Sequence, residues 1–245
     1  MRTTRVSEWD EKILTLSLGC DPSLTRVVLP VWMANLDIIE ARHTAIDLRV
    51  NDLQSSEWDK SQPVKINNYW SGEPAPVHRQ AEARILWTNA AMLVRYICKQ
   101  AEPLIITDKP QTEKKTIGLW DRDVCEIFIA PDPHVVERYF EFEVAPTGEW
   151  LDVAVNLTSG TRQSDWKFNS HMTTAATIEK DRVSMAMRIP WSRSIQQPQR
   201  GDHWRVNVFR CVGKGPDRGY LSWQPTRTPE PLFHVPEAFG WLVFR

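Results

Sequence analysis

Short runs of alternating apolar and polar residues recur along the chain, and turn residues separate them. In residues 138–144, three apolar side chains fall on one face of an extended strand, whereas Glu141 and Glu143 fall on the other. No stretch keeps the 3.6-residue apolar period of an amphipathic helix for long. Many short strands joined by turns, without intervening helices, are typical of an antiparallel β-sandwich.

The pattern predicts the positions of individual strands and of one hairpin. Strands are predicted at residues 83–87, 92–98, 123–129, 138–144, 150–155, 183–189, 205–210, 220–223 and 241–244. The first two form the hairpin, and residues 191–195, after Pro190, are predicted to form one short helical turn. No linker separates the first 50 residues from the rest, so we expect one domain with an N-terminal extension packed on it.

Charge and cysteine spacing exclude several classes of protein. The net charge of -1 gives no basic surplus, so neither a nucleic acid nor a membrane surface is an expected partner. No apolar run reaches the roughly 20 residues of a membrane helix. The N-terminus lacks an apolar signal segment, which predicts a cytoplasmic protein unless a leader has been removed, in which case it is secreted or periplasmic. The four cysteines are widely spaced and are interpreted as buried thiols, without a zinc site or disulfide scaffold.

Tryptophan is the unusual feature of the composition. The chain has 12 Trp against 8 Phe and 4 Tyr. Most of these rings are expected to fill the core, because a large ring contributes much buried apolar area. A flat indole face is also a surface on which the C–H groups of a sugar ring can pack, so we expect two or three Trp on a binding surface.

Carboxylates are the remaining candidate chemistry. Glu126 shares a strand face with Val124 and Phe128, and Glu141 and Glu143 lie on the strand expected to pair with it. Two carboxylates on neighbouring strands can form a glycosidase acid/base pair, or they are simply solvated groups on a polar sheet face. The six His residues are scattered, which argues against a metal site.

Several segments in order resemble the family 9 carbohydrate-binding modules and their relatives in the DOMON-like sandwich group. Residues 119–129 match the family's W-x-x-D-x-x-E-(I/V)-F segment, with Trp120, Asp123 and Glu126 at the fixed positions. Residues 221–223 and 239–242 match its S-W and F-G-x-L ending. The resemblance covers residues 51–245 and implies an all-β, immunoglobulin-like antiparallel β-sandwich, with residues 1–50 as the extension.

The resemblance also implies a sugar site with a defined set of residues. In the family, two aromatic rings clamp a sugar while an acidic residue hydrogen-bonds its hydroxyl groups. Here Trp120 takes one clamp position and Glu126 the acidic one, and the second clamp position falls on Phe233, where the family has Trp. Glu141 or Glu143 stands where characterised modules offer an Arg to the sugar. The expected ligand-binding residues are Trp120, Glu126, Phe233, Glu143, Asn207, Trp223 and His234.

A non-catalytic protein that binds mono-, oligo- or polysaccharides is therefore the expected function. A glycoside hydrolase acting in the same pathway is the expected partner, and polysaccharide degradation is the expected process. No cofactor is expected. Structural calcium is compatible with the family, but no loop matches the twelve-residue calcium pattern, and we assign none.

Three functional alternatives remain open from the sequence. The first is a saccharide-acting enzyme of the glycoside hydrolase type, with Glu126 and Glu143 as the acid/base pair. The second is a haem-binding DOMON-like module, in which Met185, Met187 or a His supplies axial ligands. The third is an interaction domain without a small ligand.

Overall fold

The computed structural model describes residues 37–245. The chain divides at residue 36 into two units, of which the second, residues 37–245, contains every described element. The strands are β1 (Ile38–His43), β2 (Val64–Ile66), β3 (Asn68–Tyr69), β4 (Ala81–Trp87), β5 (Ala91–Lys99), β6 (Val124–Ala130), β7 (Arg138–Val144), β8 (Trp150–Asn156), β9 (Gln163–Asp165), β10 (Thr173–Ile178), β11 (Arg182–Pro190), β12 (His203–Val212), β13 (Gly219–Ser222) and β14 (Gly240–Phe244). Short 3-10 helices span Ser56–Lys60, Val77–Arg79, Leu119–Asp121, Gly215–Asp217 and Pro236–Ala238.

The strands follow one hydrogen-bonded path that curls into two facing halves. The order is β10-β11-β5-β4-β1-β14-β12-β6-β7-β8-β9. Outside this path, β13 pairs with β12 and with β3, and β2 pairs with β4. The strand pairs are antiparallel except at β1, which pairs in parallel with β14 on one side and with β4 on the other. β1 therefore joins the two halves. The β4 half contains β2, β4, β5, β10 and β11, and the β6 half contains β3, β6, β7, β8, β9, β12, β13 and β14.

The main core lies between the two halves. Alternate residues of β6, such as Cys125, Ile127 and Ile129, face Val94 and Met187 of the β4 half across this core. These positions follow the two-residue period of the strands, which places every second side chain on the inner face. The all-β sandwich predicted from the sequence is confirmed.

The β6 half is also buried on its outer face. A second apolar cluster there contains Phe128 from β6, Tyr139 from β7, Phe209 from β12 and Phe239 from the segment before β14. Every residue of β6 is buried, and all of them are apolar except Glu126. Loops therefore cover the outer face of the β6 half, and the candidate site lies beneath them.

Some local expectations are confirmed and others are wrong. The hairpin of β4 and β5 forms as predicted, with full antiparallel register. Residues 191–195 form no helix, because Ser192 and Ile195 close a tight turn and the Trp191 indole donates to the Thr88 carbonyl.

Two further features were not expected from the sequence. Residues 38–43, which we assigned to the extension, form strand β1 of the sandwich, whereas residues 1–36 lie outside the described part of the chain. Cys98 and Cys125 are buried thiols, as interpreted from the sequence, and the unexpected feature is that their Sγ atoms lie 3.3 Å apart across the core. Cys211 is a third buried thiol, and Cys20 lies outside the described residues.

Within residues 37–245, no helix combines the length and the apolar character needed to cross a membrane.

Candidate functional site

A pocket of about 240 Å³ opens on the outer face of the β6 half. Its floor comes from strands β6, β7 and β12, and its walls come from residues 120–121, 162–166 and 231–234 and from Tyr220 of β13. The lining residues are Trp120, Asp121, Glu126, Phe128, Glu141, Arg162, Ser164, Trp166, Cys211, Tyr220, Pro231, Leu232, Phe233 and His234. Four residues predicted from the sequence meet here, namely Trp120, Glu126, Phe233 and His234.

Trp120 is held in the pocket wall by a short 3-10 helix. Gly118 precedes this helix with a φ of 85°, a left-handed conformation that glycine adopts without steric cost. Leu119 is fully buried, so the helix is anchored on one side while the indole of Trp120 stays 37% exposed. An apolar ring presented to solvent in this way is available for a ligand.

Arg218 fixes the segment that carries Trp120. Its guanidinium donates to the carbonyl oxygens of Trp120, Arg122 (2.8 Å) and Gly213 (2.9 Å), and it packs over the Tyr220 ring at 5.3 Å. A planar guanidinium can serve several carbonyls at once because its five N–H groups spread in a fixed fork. Arg218 is a positioning residue that sequence reasoning missed, since nothing near position 218 marks it.

Trp166 is the second exposed indole of the pocket. It follows β9, is also 37% exposed, and its ring lies 5.9 Å from the Trp120 ring with 35° between the planes. The two rings form an adjoining aromatic surface. Trp166 was not predicted, because it lies in a polar stretch that shows no strand pattern.

Phe233 lines the same pocket but is held differently from the two tryptophans. Its ring stacks on Phe209 of β12 at 4.1 Å with 14° between planes, and it is 9% exposed. Tyr220 meets its edge at 6.1 Å. One face of Phe233 is therefore occupied by the protein, and only a small part of the ring can reach a ligand.

Three glutamates form a carboxyl cluster at the floor, and all three are buried. Glu126 of β6 lies directly opposite Glu143 of β7, and Glu141 lies opposite Phe128 in the same register. One carboxyl oxygen from each of Glu126, Glu141 and Glu143 lies within 4.8 Å of the others. The sequence-based alternative of solvated carboxylates on a polar face is therefore wrong, because loops cover this face.

Burial dominates the titration of this cluster. The pKa of Glu126 is raised to about 8. Removal of its carboxyl group from water is the main cause, and repulsion by the neighbouring Glu141 charge adds to it. The pKa values of Glu141 and Glu143 are raised for the same first reason, with Glu126 and Glu141 adding repulsion at Glu143. At neutral pH the cluster therefore holds protons that solvated glutamates would release.

His234 links the pocket wall to the cluster as a neutral ring. Burial, assisted by the charge of Arg162, lowers the pKa of His234 to about 3. Its Nδ1 lies 2.7 Å from the Tyr139 hydroxyl oxygen, and its Nε2 lies 3.9 Å from a Glu141 oxygen. The ring therefore brings polarity to the wall without a positive charge.

Three of the predicted residues do not line the pocket. Glu143 is fully buried beneath it. The Asn207 amide donates to the Gln224 carbonyl at 2.8 Å and accepts from the Gln224 N–H at 3.0 Å, which fixes the chain after β13. Trp223 lines a different cavity and packs so closely on Gly240 that no side chain would fit there. These two side chains therefore have structural roles elsewhere.

The geometry also bears on the functional alternatives. Glu143 has no exposed surface, so it cannot contact a substrate as one half of an acid/base pair. Met185 and Met187 pack in the main core between the halves, where neither can reach a haem on the surface. Calcium is usually bound by six to eight oxygen ligands. Glu126, Glu141 and Glu143 bring together one carboxyl oxygen each, within 4.8 Å of one another. Calcium is therefore not assigned to this cluster.

The outer face of this β-sandwich carries an open pocket with exposed indoles beside buried carboxyl groups. This arrangement is typical of a module that binds a small ligand. The comparison with known families gives that class a name. Residues 46–245 match the model of the carbohydrate family 9 binding domain-like family. The chain belongs to this family, which consists of non-catalytic carbohydrate-binding modules.

Solved structures show the same fold at low sequence identity. A protein from Bacteroides uniformis ATCC 8492, described as a candidate carbohydrate-binding protein, aligns with a TM-score of 0.66 and 19% identity, over 86% of this chain and 100% of its own. A family 9 module from Caldicellulosiruptor kristjanssonii in complex with cellotriose gives 0.60 and 12%, over 85% and 94%. A module from the same organism in complex with glucose gives 0.57 and 13%, over 85% and 96%. No curated protein sequence shows significant similarity to the chain.

Proposed function

We propose that the pocket on the outer face of the β6 half binds a saccharide without catalysing a reaction. A sugar ring packs on Trp120, Trp166 extends the aromatic surface, and the rim of Phe233 lines the pocket. Glu126 hydrogen-bonds the sugar hydroxyls from the floor. Trp166 supports this arrangement as a second aromatic contact because it is far more exposed than Phe233.

One observation carries this proposal. Two indole rings remain 37% exposed side by side at the mouth of a pocket whose floor contains a buried carboxyl group. Large apolar rings are normally driven out of water, so their joint exposure next to polar groups indicates a binding surface. A sugar matches this chemistry, since its ring faces are apolar and its edges carry hydroxyl groups.

The relatives guide the choice of ligands. The Caldicellulosiruptor kristjanssonii modules are in complex with cellotriose and with glucose, which supports a gluco-configured saccharide as a starting point for this chain. We further propose that the module serves a polysaccharide-degrading enzyme of the same pathway.

Isothermal titration calorimetry with glucose, cellotriose and other saccharides tests the proposal. Trp120→Ala removes the main packing surface, so its dissociation constants are expected to rise at least about tenfold, or about 1.4 kcal/mol. Ile178→Ala is the matched control, because it removes an exposed apolar side chain from β10 in the other half. Equal affinities in Trp120→Ala and the parent protein would contradict this placement of the sugar.

A further inference from the structure

The carboxyl cluster beneath the pocket differs from two other buried acids of this molecule, Asp152 and Glu149, whereas buried Asp123 also lacks an ion pair among the described residues and accepts the Gly213 N–H at 2.8 Å. Asp152 is fully buried and pairs with the Lys115 ammonium at 2.5 Å. Glu149 is buried and pairs with the Arg122 guanidinium at 3.0 Å. Within residues 37–245, no Lys or Arg lies within ion-pair distance of the cluster. The fold supplies a cation to Asp152 and Glu149 but not to the three glutamates under the pocket.

The groups that face the cluster do not replace that missing cation. The Cys211 thiol of β12 lies 3.6 Å from Glu126, and the neutral His234 ring lies 3.9 Å from Glu141. In the described part of the chain, no N–H group hydrogen-bonds either carboxyl oxygen of Glu143, and the neighbouring Glu141 can share only a proton with it.

Two charged residues complete the wall of the pocket. Arg162 is exposed and favours the charged form of Glu141 from a distance, and Asp121 adds an acidic group at the rim. Arg218 favours the charged form of Glu126 in the same way, also from beyond ion-pair distance. With three glutamates at or beneath the floor and Asp121 at the rim, the four acidic groups outnumber the two guanidiniums of Arg162 and Arg218. The pocket therefore presents an excess of acidic groups to a bound ligand.

A ligand that carries its own cation fits this imbalance better than a neutral one. Buried carboxyl groups without a partner are unfavourable, and a cation placed against them restores the pairing seen at Asp152 and Glu149. The exposed indoles of Trp120 and Trp166 reinforce this preference, because aromatic faces attract cations. A hydroxyl group would provide hydrogen bonds but no compensating charge.

We propose that the pocket selects a saccharide bearing a protonated amine, an amino sugar, with its ammonium directed at Glu126 and Glu141. This inference rests on the proposed function and names its ligand class. When the ammonium binds, the carboxyl groups that face it give up their protons to the buffer and become its counter-ions. The raised pKa values of the cluster agree with this, since acids without a cationic partner hold their protons.

Calorimetry with glucose, glucosamine and N-acetylglucosamine tests this selection. The titrations are run in EDTA at about pH 6.5, where the free amine is protonated. Glucosamine is expected to bind at least about tenfold more tightly than glucose. N-Acetylglucosamine keeps the ring but carries an uncharged amide, so it should show no such gain. Titration in two buffers of different ionisation enthalpy should detect proton release with glucosamine and not with glucose.

Glu141→Gln is the diagnostic variant, because it keeps the shape of the side chain and removes the charge. Its preference for glucosamine over glucose is expected to fall towards one. Glu113→Gln makes the same chemical change at an exposed position outside the pocket and should keep the full preference. Circular dichroism confirms that each variant is folded.

The other outcomes separate this inference from the proposed function. Equal affinities for glucose and glucosamine in the parent protein overturn the inference and leave saccharide binding intact. No binding of any saccharide overturns both. Glucosamine binding that survives Trp120→Ala unchanged overturns the inference, since it shows charge attraction outside the pocket. Binding that requires CaCl₂ in place of EDTA assigns the carboxyl groups to a metal ion and also overturns it.

Discussion

The two faces of β6 differ in what they bury. The inner face packs Cys125, Ile127 and Ile129 against the opposite half of the sandwich. The outer face is equally removed from water but carries Glu126 among apolar neighbours, beside Glu141 of the next strand. Burial of the inner side chains stabilises the fold, whereas burial of a carboxyl group opposes it. The inner face therefore maintains the sandwich, and the unfavourable burial of a carboxyl group on the outer face supports the proposal that this face binds a ligand.

The largest expected effect is on the inner face. Ile127→Ala leaves a cavity in the main core, so the free energy of unfolding is expected to fall by about 2–5 kcal/mol. Denaturant unfolding measures this change, and Ile178→Ala serves as the exposed control, with an expected change within about 0.5 kcal/mol. A loss for Ile127→Ala no larger than that of the control would remove the distinction between the two faces.

On the outer face, replacing a buried carboxyl group is expected to stabilise the protein, by an amount that depends on pH. The pKa of Glu126 is raised from 4.5 to about 8, so the folded protein binds this proton more tightly than the unfolded chain. The resulting stabilisation is complete below about pH 4.5 and is lost as the pH rises through 8. Relative to the parent protein, Glu126→Gln should therefore gain stability between these limits, by an amount of order a few kcal/mol.

Unfolding curves of both proteins across this pH range measure that linkage. The comparison with Glu126→Gln isolates the contribution of Glu126, because the other acidic residues are the same in both proteins. A stability difference that stays constant with pH would show that Glu126 is solvated and would contradict the description of the outer face.

The smallest expected effect concerns the support of the pocket wall. Arg218→Lys keeps the charge but cannot reach the carbonyls of Trp120, Arg122 and Gly213 together. We expect saccharide affinity to fall roughly fivefold, equivalent to about 1 kcal/mol, while the core stays intact. Arg182→Lys, at an exposed ion pair with Glu179, is the matched control in the same calorimetric assay. Unchanged affinity in Arg218→Lys would mean that Trp120 needs no support from this residue.

The alternation of residues was sufficient to predict most strands and the division of faces within them. It placed Glu141 and Glu143 on one face of a strand expected to pair with the strand of Glu126, and the structure confirms that β6 and β7 pair. The pattern could not show that loops cover that face, because burial by a distant segment leaves no local period. The same reason explains why the carboxyl groups were open to interpretation as solvated.

Residues outside regular strands were the hardest to predict. Trp120 was found through a family motif, but Trp166 and Arg218 lie in irregular segments and act through contacts with residues far away in the chain. Asn207 and Trp223 were among the ligand-binding residues expected from the sequence. Their side chains are instead held by Gln224 and by packing against Gly240.

The central claim is that the outer face of the β6 half binds sugar through its two exposed indoles. Each of the 12 Trp residues contributes one indole N–H signal, which a Trp→Phe series assigns in proton–nitrogen correlation spectra. On titration with glucosamine and cellotriose, we predict that the Trp120 and Trp166 signals shift while those of buried Trp58 and Trp241 do not. Saccharide-induced shifts at other tryptophans, with Trp120 and Trp166 unmoved, would contradict the account.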